Sequence, residues 1–567
     1  MLRGNRRAEV ASGALLESAP CLRTVELRSR RWVPSLLDCC FLAVMVWLFA
    51  TGQGGWLGLL ADADAGWHIR TGEYILEHHR VPATDLFSFS KPGAPWYAWE
   101  WASDVGMALL HGAGGLKALA MAAAVLIALT AALLLRFLVW RGANPLAALV
   151  VVLVACGAST MHYLARPHLV SLLLLVVALW LIESDRRRTG RAIWWLVPLA
   201  ALWANLHGGF LALIACLALL AVGSAIEALL GESGTAPNWG PARRYTLLTA
   251  LCAFATVLNP YGVKLHFHIG QYLRSDWIRN LVQEFQAPGF RHENELYFEA
   301  LLLLGVALVA VLLARRQVVE ALWILFWAHQ ALGSARHIPL FVIVVAPVAA
   351  SEISAWWRAL VGKQPRRSLA GILGSLSEDM APGFRYTSLW APVLVLAAIF
   401  LNPQARWPGD FPAEMFPVKL IQGQERLVVG ARVLTSDQWG DYLIYHFYPK
   451  QRVFIDGRSD FYGPAIGDQY LHLAYTHADW EELMTRYGFE VVLSPAEWPL
   501  SALLRTRPGW RVVAQDKLGT LFVRVASPPS GTAAASRTGT KGLASPGPGL
   551  METTDSAERQ KGDRSGI

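Results

Sequence analysis

The sequence predicts a polytopic α-helical membrane protein with a small α/β domain near its C-terminus. Three observations predict it. Charged residues are only 16% of the chain and hydrophobic residues 54%, whereas a soluble protein carries about 25% charged residues. The apolar residues cluster into runs near the roughly 20 residues that a bilayer-crossing helix needs. Arg and Lys fall in short loops between those runs, in every alternate loop, which is the distribution that orients a chain in a membrane. Topology therefore explains the net charge of +8, and nucleic acid is not an expected partner.

About eleven spans are read, over residues 37–60, 116–140, 144–161, 168–183, 192–207, 209–230, 245–259, 296–314, 319–334, 338–357 and 388–402. Residues 101–113 are apolar but short and read as a re-entrant or interfacial helix. The basic leader, residues 1–36, is too long for a cleaved signal peptide, so the first span is a retained anchor with a cytoplasmic N-terminus. Arg141, Arg186, Arg187, Arg243, Arg244, Arg315, Arg316 and Lys363 then fall on the cytoplasmic side. The six cysteines lie in apolar runs, at their edges or in the leader, without a CxxC spacing, so no disulfide framework is expected.

Beyond the last span, residues 403–416 are a Pro-rich linker and residues 417–526 take on the texture of a soluble domain. Strands are expected over 432–435, 452–455 and 490–493, with a hairpin of 510–516 and 520–525 around Leu518-Gly519. Such alternation with helices indicates a small α/β sheet on the extracytoplasmic side. Asp456-Gly457-Arg458-Ser459-Asp460 follows the second of these strands, where open sheets bind ligands. A turn held by Asp–Arg bonds accounts for the motif equally well. Residues 527–567 are rich in Gly, Ser, Pro and Thr and are expected to be disordered.

The unusual polar residues share the side opposite the basic loops. They are Asp62, Asp64, His68, Asp85 and Glu100 in the first outer loop (61–115), then Arg166 with His168, Asn205 with His207, Asn259, Glu284, and Arg336 with His337. One such residue is ordinarily a snorkelling anchor; a whole set on one face favours an outward-facing polar cavity. Asp62 and Asp64 stand where the first span ends. A carboxylate there suits a general base, and burial tunes its pKa for that work. The same oxygens also suit a divalent cation. An interfacial helix is expected over 69–78, with Trp67, Tyr74 and Trp96 as belt residues.

The loop beginning DADAGWHIRTG at residue 62 resembles the first outer loop of the glycosyltransferase C superfamily, polytopic transferases that use polyprenyl-phosphate sugars. The likeness is closer to a bacterial branch of that superfamily with a C-terminal extracytoplasmic domain. Its phrases are PATDLFS from residue 82, EWAS from 100, RPH from 166, WANLHGG from 203, NP from 259, RHIPLF from 336 and VFIDGRSD from 453. The resemblance implies a bacterial inner-membrane enzyme that moves a sugar from a polyprenyl-phosphate donor to a lipid, glycan or protein. It implies Asp62 or Asp64 as catalytic base. Asp85, Glu100 and His68 would be second groups toward the acceptor, and Arg166, His168, Arg336 and His337 would hold the donor phosphate. A divalent cation on Asp62, Asp64 and Asp85 is a candidate cofactor, and Asp456, Arg458 and Asp460 are candidate site residues of the outer domain. The competing reading is a transporter or flippase; the absence of an evident internal repeat and the placement of the polar residues at span ends weigh against it. A third is a sensor or assembly factor whose outer domain binds a partner.

Overall fold

The structure, a computed structural model, describes residues 33–50, 57–231, 236–365, 367–402, 407 and 409–525. The tail expected to be disordered and nearly all of the basic leader lie outside the described residues.

Thirteen helices carry the argument through residue 401: α1 Leu36–Ala50, α2 Asp64–His78, α3 Trp101–Arg141, α4 Pro145–Ser159, α5 His168–Arg187, α6 Leu196–Leu206, α7 Phe210–Leu229, α8 Gly240–Ala255, α9 Lys264–Arg274, α10 Glu293–Ala314, α11 Val318–Gly333, α12 Ile338–Val361 and α13 Trp390–Leu401. All but α2 and α9, which are not apolar, overlap the spans that hydropathy marks. Among the described residues, six helices are long and apolar enough to cross a membrane and four apolar helices are shorter. The expected count of about eleven is therefore not reached on length and composition alone. The piece expected over 101–113 runs on into the next span as α3, interrupted at Gly114 and Gly115, where Gly115 adopts φ 62°. Helix α4 starts where Asn144 accepts bonds from the amides of Leu146 (3.0 Å) and Ala147 (3.3 Å) ahead of the apolar run.

Contacts between side chains gather the helix connections into two groups. At one end carboxylates tie down the arginines of the basic loops. Arg186 pairs with Glu320 (2.7 Å), Arg244 with Asp185 (2.8 Å) and Arg315 with Glu352 (2.6 Å). The other end gathers the turns at Asp62, Arg166, His207 and Arg336.

Over that end lies the C-terminal segment. Its four-stranded sheet comprises β1 Val433–Leu434, β2 Val491–Pro495, β3 Trp510–Gln515 and β4 Gly519–Arg524, in the order β1-β2-β4-β3. β1 pairs parallel with β2, and β4 pairs antiparallel with both β2 and β3. The strand expected over 452–455 is absent. Its backbone is instead paired to the first loop: Val453 N donates to the Phe87 carbonyl and Phe89 N to the Val453 carbonyl, both at 2.9 Å. One hydrophobic cluster runs from the bundle through Phe87 and Trp96 to Val453, Phe454 and Leu443. Trp67 and Trp96, expected in an interfacial belt, are buried in it. Helix α14, Asp437–Phe447, crosses α2 so closely that a Cβ on Gly66 would lie 2.7 Å from the Asp441 carbonyl oxygen. Helix α15, Ser459–Ala474, opens immediately after the Asp456-Gly457-Arg458 turn.

Candidate active site

Asp62 and Asp64 converge on Arg166. Asp62 accepts from Arg166 Nη1 at 2.8 Å, and Arg166 Nη2 pairs with Asp64. The geometry is local in origin. Asp62 accepts the amide of Asp64 at 2.9 Å, which turns the chain into α2. Asp64 thus occupies the first helical turn, where a negative charge is stabilised. The Arg166-Pro167-His168 turn between α4 and α5 supplies the counter-charge. Helix α2 begins five residues before the interfacial helix expected from sequence, and this carries Asp64 inward to 3% exposure.

A second carboxylate from the far end of the chain joins it. The Asp441 side chain accepts the Gly457 amide with both oxygens, at 3.2 and 3.0 Å, which brings it beside Asp64. A Cβ on Gly457 would lie 2.1 Å from Asp64 Oδ1, so only glycine fits between the two acids. Burial outweighs the attraction of Arg166 and, with repulsion from Asp62, pushes Asp64 up to about 7. Burial and the neighbouring Asp64 raise Asp441 as well.

A second cation stands across the cavity. Arg336 lies 3.7 Å from Glu284, and Arg166 lies 3.9 Å from the other oxygen of that carboxylate. Burial works to raise Glu284, but Arg336 and Arg166 together hold it down at about 2. Arg336 packs its guanidinium over Phe285 at 4.2 Å and meets the Tyr272 hydroxyl at 3.4 Å. An anion bridged by two arginines is the setting in which a phosphate binds.

Between these clusters stands Glu100, 3.7 Å from His68 Nε2 and 3.5 Å from His207 Nε2. Burial raises Glu100 to about 8, against the pull of Arg166. The His68 ring bonds Asp104 through Nδ1 at 2.6 Å, and burial together with Arg166 keeps it neutral. His207 Nδ1 accepts the Gly209 amide at 2.9 Å, which leaves the proton on Nε2, toward Glu100. His168 and His337 line the same cavity but spend a nitrogen on backbone carbonyls, those of His162 (2.6 Å) and Gln330 (3.2 Å).

Asp85 stands apart. It accepts from the Ser88 amide (2.8 Å) and hydroxyl (2.7 Å) and from Arg458 Nη2 (2.8 Å). Arg458 is also clamped by Asp456 through Nε and Nη2, both at 2.7 Å. Asp456 and Arg458 thus form the bonded turn, each 2% exposed; Arg458 and Asp460 both line the cavity. Among the described residues no group of three or more His, Cys, Asp or Glu side chains is placed to hold a metal. Arg166 pairs with both Asp62 and Asp64. Glu284 was visible in sequence as an odd polar residue without a role. Asp441, Tyr272 and His268 carried no signal, because what defines them is contact with distant segments.

The cavity encloses about 310 Å³. Its polar end holds Asp64, Glu100, Arg166 and Arg336; Leu172, Leu211, Phe326 and Leu340, from four membrane helices, line the rest. Fold and site together define a helical membrane protein with a cavity lined by two arginines, several carboxylates and apolar side chains of four helices. Among solved structures, similar chains include the oligosaccharyltransferase of Archaeoglobus fulgidus in its apo form, at 14% identity and TM-score 0.48, covering 81% of this chain and 69% of that one. AglB from Archaeoglobus fulgidus, in complex with an inhibitory peptide and a dolichol-phosphate, gives 13% and 0.49 over 87% and 74%. ArnT from Cupriavidus metallidurans, bound to undecaprenyl phosphate, gives 13% and 0.45 over 86% and 98%. No family model matches the chain, and no curated protein matches it.

Proposed function

We propose that this protein is a membrane glycosyltransferase that moves a sugar from a polyprenyl-phosphate donor to a hydroxyl-bearing acceptor at the extracytoplasmic face of a bacterial inner membrane. The observation that carries the proposal is the amphipathic cavity. Two arginines flank one carboxylate at its polar end, and apolar side chains of four helices continue from it. An isoprenoid phosphate has that same division of charged head and hydrocarbon chain.

Arg166 and Arg336 hold the phosphate, displacing Glu284 from between them. Asp64 is the base, with Asp62 holding Arg166 in place. The acceptor hydroxyl attacks the anomeric carbon, the carbon–oxygen bond to phosphate breaks, the lipid phosphate leaves with the electron pair, and Asp64 takes the hydroxyl proton. A carboxylate held near 7 is matched to accept and release that proton at neutral pH. Membranes containing the protein are assayed with radiolabelled polyprenyl-phosphate sugars. Transfer that is lost in Asp64→Asn supports the reading; wild-type products from both Asp62→Asn and Asp64→Asn remove the base from it.

A further inference from the structure

One wall of the cavity extends from Arg336 toward the C-terminal segment as an unbroken series of side chains. The Tyr272 hydroxyl lies 3.4 Å from Arg336. The Tyr272 ring meets Trp99 edge to face at 5.8 Å, and Trp99 meets His268 at 5.9 Å. His268 Nε2 bonds Asp460 at 2.9 Å. The series is held from behind. Tyr97 stacks on His268 at 4.5 Å, and a Cβ on Gly208 would press to 2.8 Å from the Trp99 ring. Trp99, Glu100, Tyr272, Ser459 and Asp460 all line the cavity.

This wall has the composition that recognises a sugar. An indole presents an apolar face to ring C–H groups, and carboxylates accept from ring hydroxyls. It starts beside the guanidinium that holds the phosphate, where the first sugar of a glycosyl phosphate must lie. His268 fixes one oxygen of Asp460 and leaves the carboxylate oriented toward the cavity. Asp456 and Arg458, in the same motif, are committed to each other and to Asp85.

We propose that Trp99 and Asp460 form the subsite for the transferred sugar, so that the C-terminal segment selects the glycosyl group and does more than cover the site. The inference rests on the transferase reading and goes beyond it by locating the sugar.

The test uses the full chain in nanodiscs, with binding of undecaprenyl phosphate compared with its glucosyl, galactosyl and mannosyl derivatives. Wild type is expected to bind at least one glycosyl phosphate at least tenfold tighter than the bare lipid phosphate. Asp460→Asn and Trp99→Ala, each separately, are expected to bring that ratio below threefold while bare undecaprenyl phosphate binds as to wild type. Asp460→Asn is nearly isosteric, so it reads the subsite even if the Trp99 variant fails to fold. A ratio that survives in Asp460→Asn, or an equal loss for bare and glycosylated lipid, overturns the subsite. Wild type that binds the bare lipid phosphate without any sugar-dependent gain overturns it too and leaves the transferase reading standing. Wild type that binds none of the four lipids overturns both.

Discussion

Asp64 and Asp441 close on either side of Gly457, where a Cβ would lie 2.1 Å from Asp64 Oδ1 and 2.9 Å from Asp441 Oδ2; one stands on the helix that follows the first span and the other on a helix of the C-terminal segment. Burial and mutual repulsion raise both carboxyls, so one of them keeps a proton where the other ionises. The pair therefore links the ionisation of the proposed base to the docking of α14 on α2.

Loss of that proton sets a pH dependence. Asp64, held at about 7, must be ionised to act as base, so transfer rises with pH through that region. Asp441→Asn removes the like charge and keeps an amide donor toward Asp64. The rising limb of the pH–rate profile is expected to move at least one pH unit lower. An unmoved limb would mean that Asp64 is not the group whose ionisation limits the rate.

Stability carries the same signature with the opposite sense. Asp64 at about 7 and Glu100 at about 8 are both raised by burial above their ordinary values, near 4 in an unfolded chain. The folded protein therefore binds more protons than the unfolded one between about pH 4 and 8. Stabilisation from these groups is complete below the unfolded values and is lost as pH rises through 7 and 8, at about 1.4 kcal/mol per pH unit per group. The apparent Tm in detergent is expected to fall between pH 5.5 and 8.5, and Glu100→Gln to flatten that slope.

Glu284 sits between the two guanidinium groups assigned to phosphate. Glu284→Gln frees both from a competing charge and is expected to tighten binding of undecaprenyl phosphate severalfold. Arg336→Ala removes a charge-assisted bond worth about 1.5–3 kcal/mol and is expected to weaken binding roughly tenfold or more. Equilibrium titration in nanodiscs measures both.

Helix α2 lies on α3 with no room for a side chain at Gly72, where a Cβ would stand 2.0 Å from the Asp104 carbonyl oxygen. Gly72→Ala is expected to cost about 1–3 kcal/mol or more through overpacking. Gly106, on α3, has nothing within 4 Å of its Cβ position, and Gly106→Ala is expected to leave Tm unchanged or higher. The two variants compared in one melting experiment separate packing from helix propensity.

Arg458 neutralises Asp456 and Asp85 in a buried cluster. Arg458→Ala leaves two buried carboxylates without a counter-charge, at a cost of about 3–5 kcal/mol. Limited proteolysis is expected to cut first within the C-terminal segment of that variant, before the membrane helices.

The arrangement of helices was legible in the chain because burial in lipid demands long apolar runs, and those runs are local. The alternation of arginines likewise placed Asp62, Arg166, His207, Glu284 and Arg336 at one end of the bundle, since topology sorts charges loop by loop. The hairpin of β3 and β4 was legible from its own pattern. The strand expected over 452–455 was not formed, because those amides and carbonyls found Phe87 and Phe89 as partners, and no local pattern encodes a partner hundreds of residues away. The same reason separates Asp460, bonded to His268, from Asp456, bonded to Arg458, within one five-residue motif, and it hid Asp441 altogether. The sequence by itself determined which residues were polar at the membrane edge. Only the tertiary structure decided which of them are spent on one another and which face the cavity, because pairing depends on distance in space and burial alone makes an unpaired charge costly.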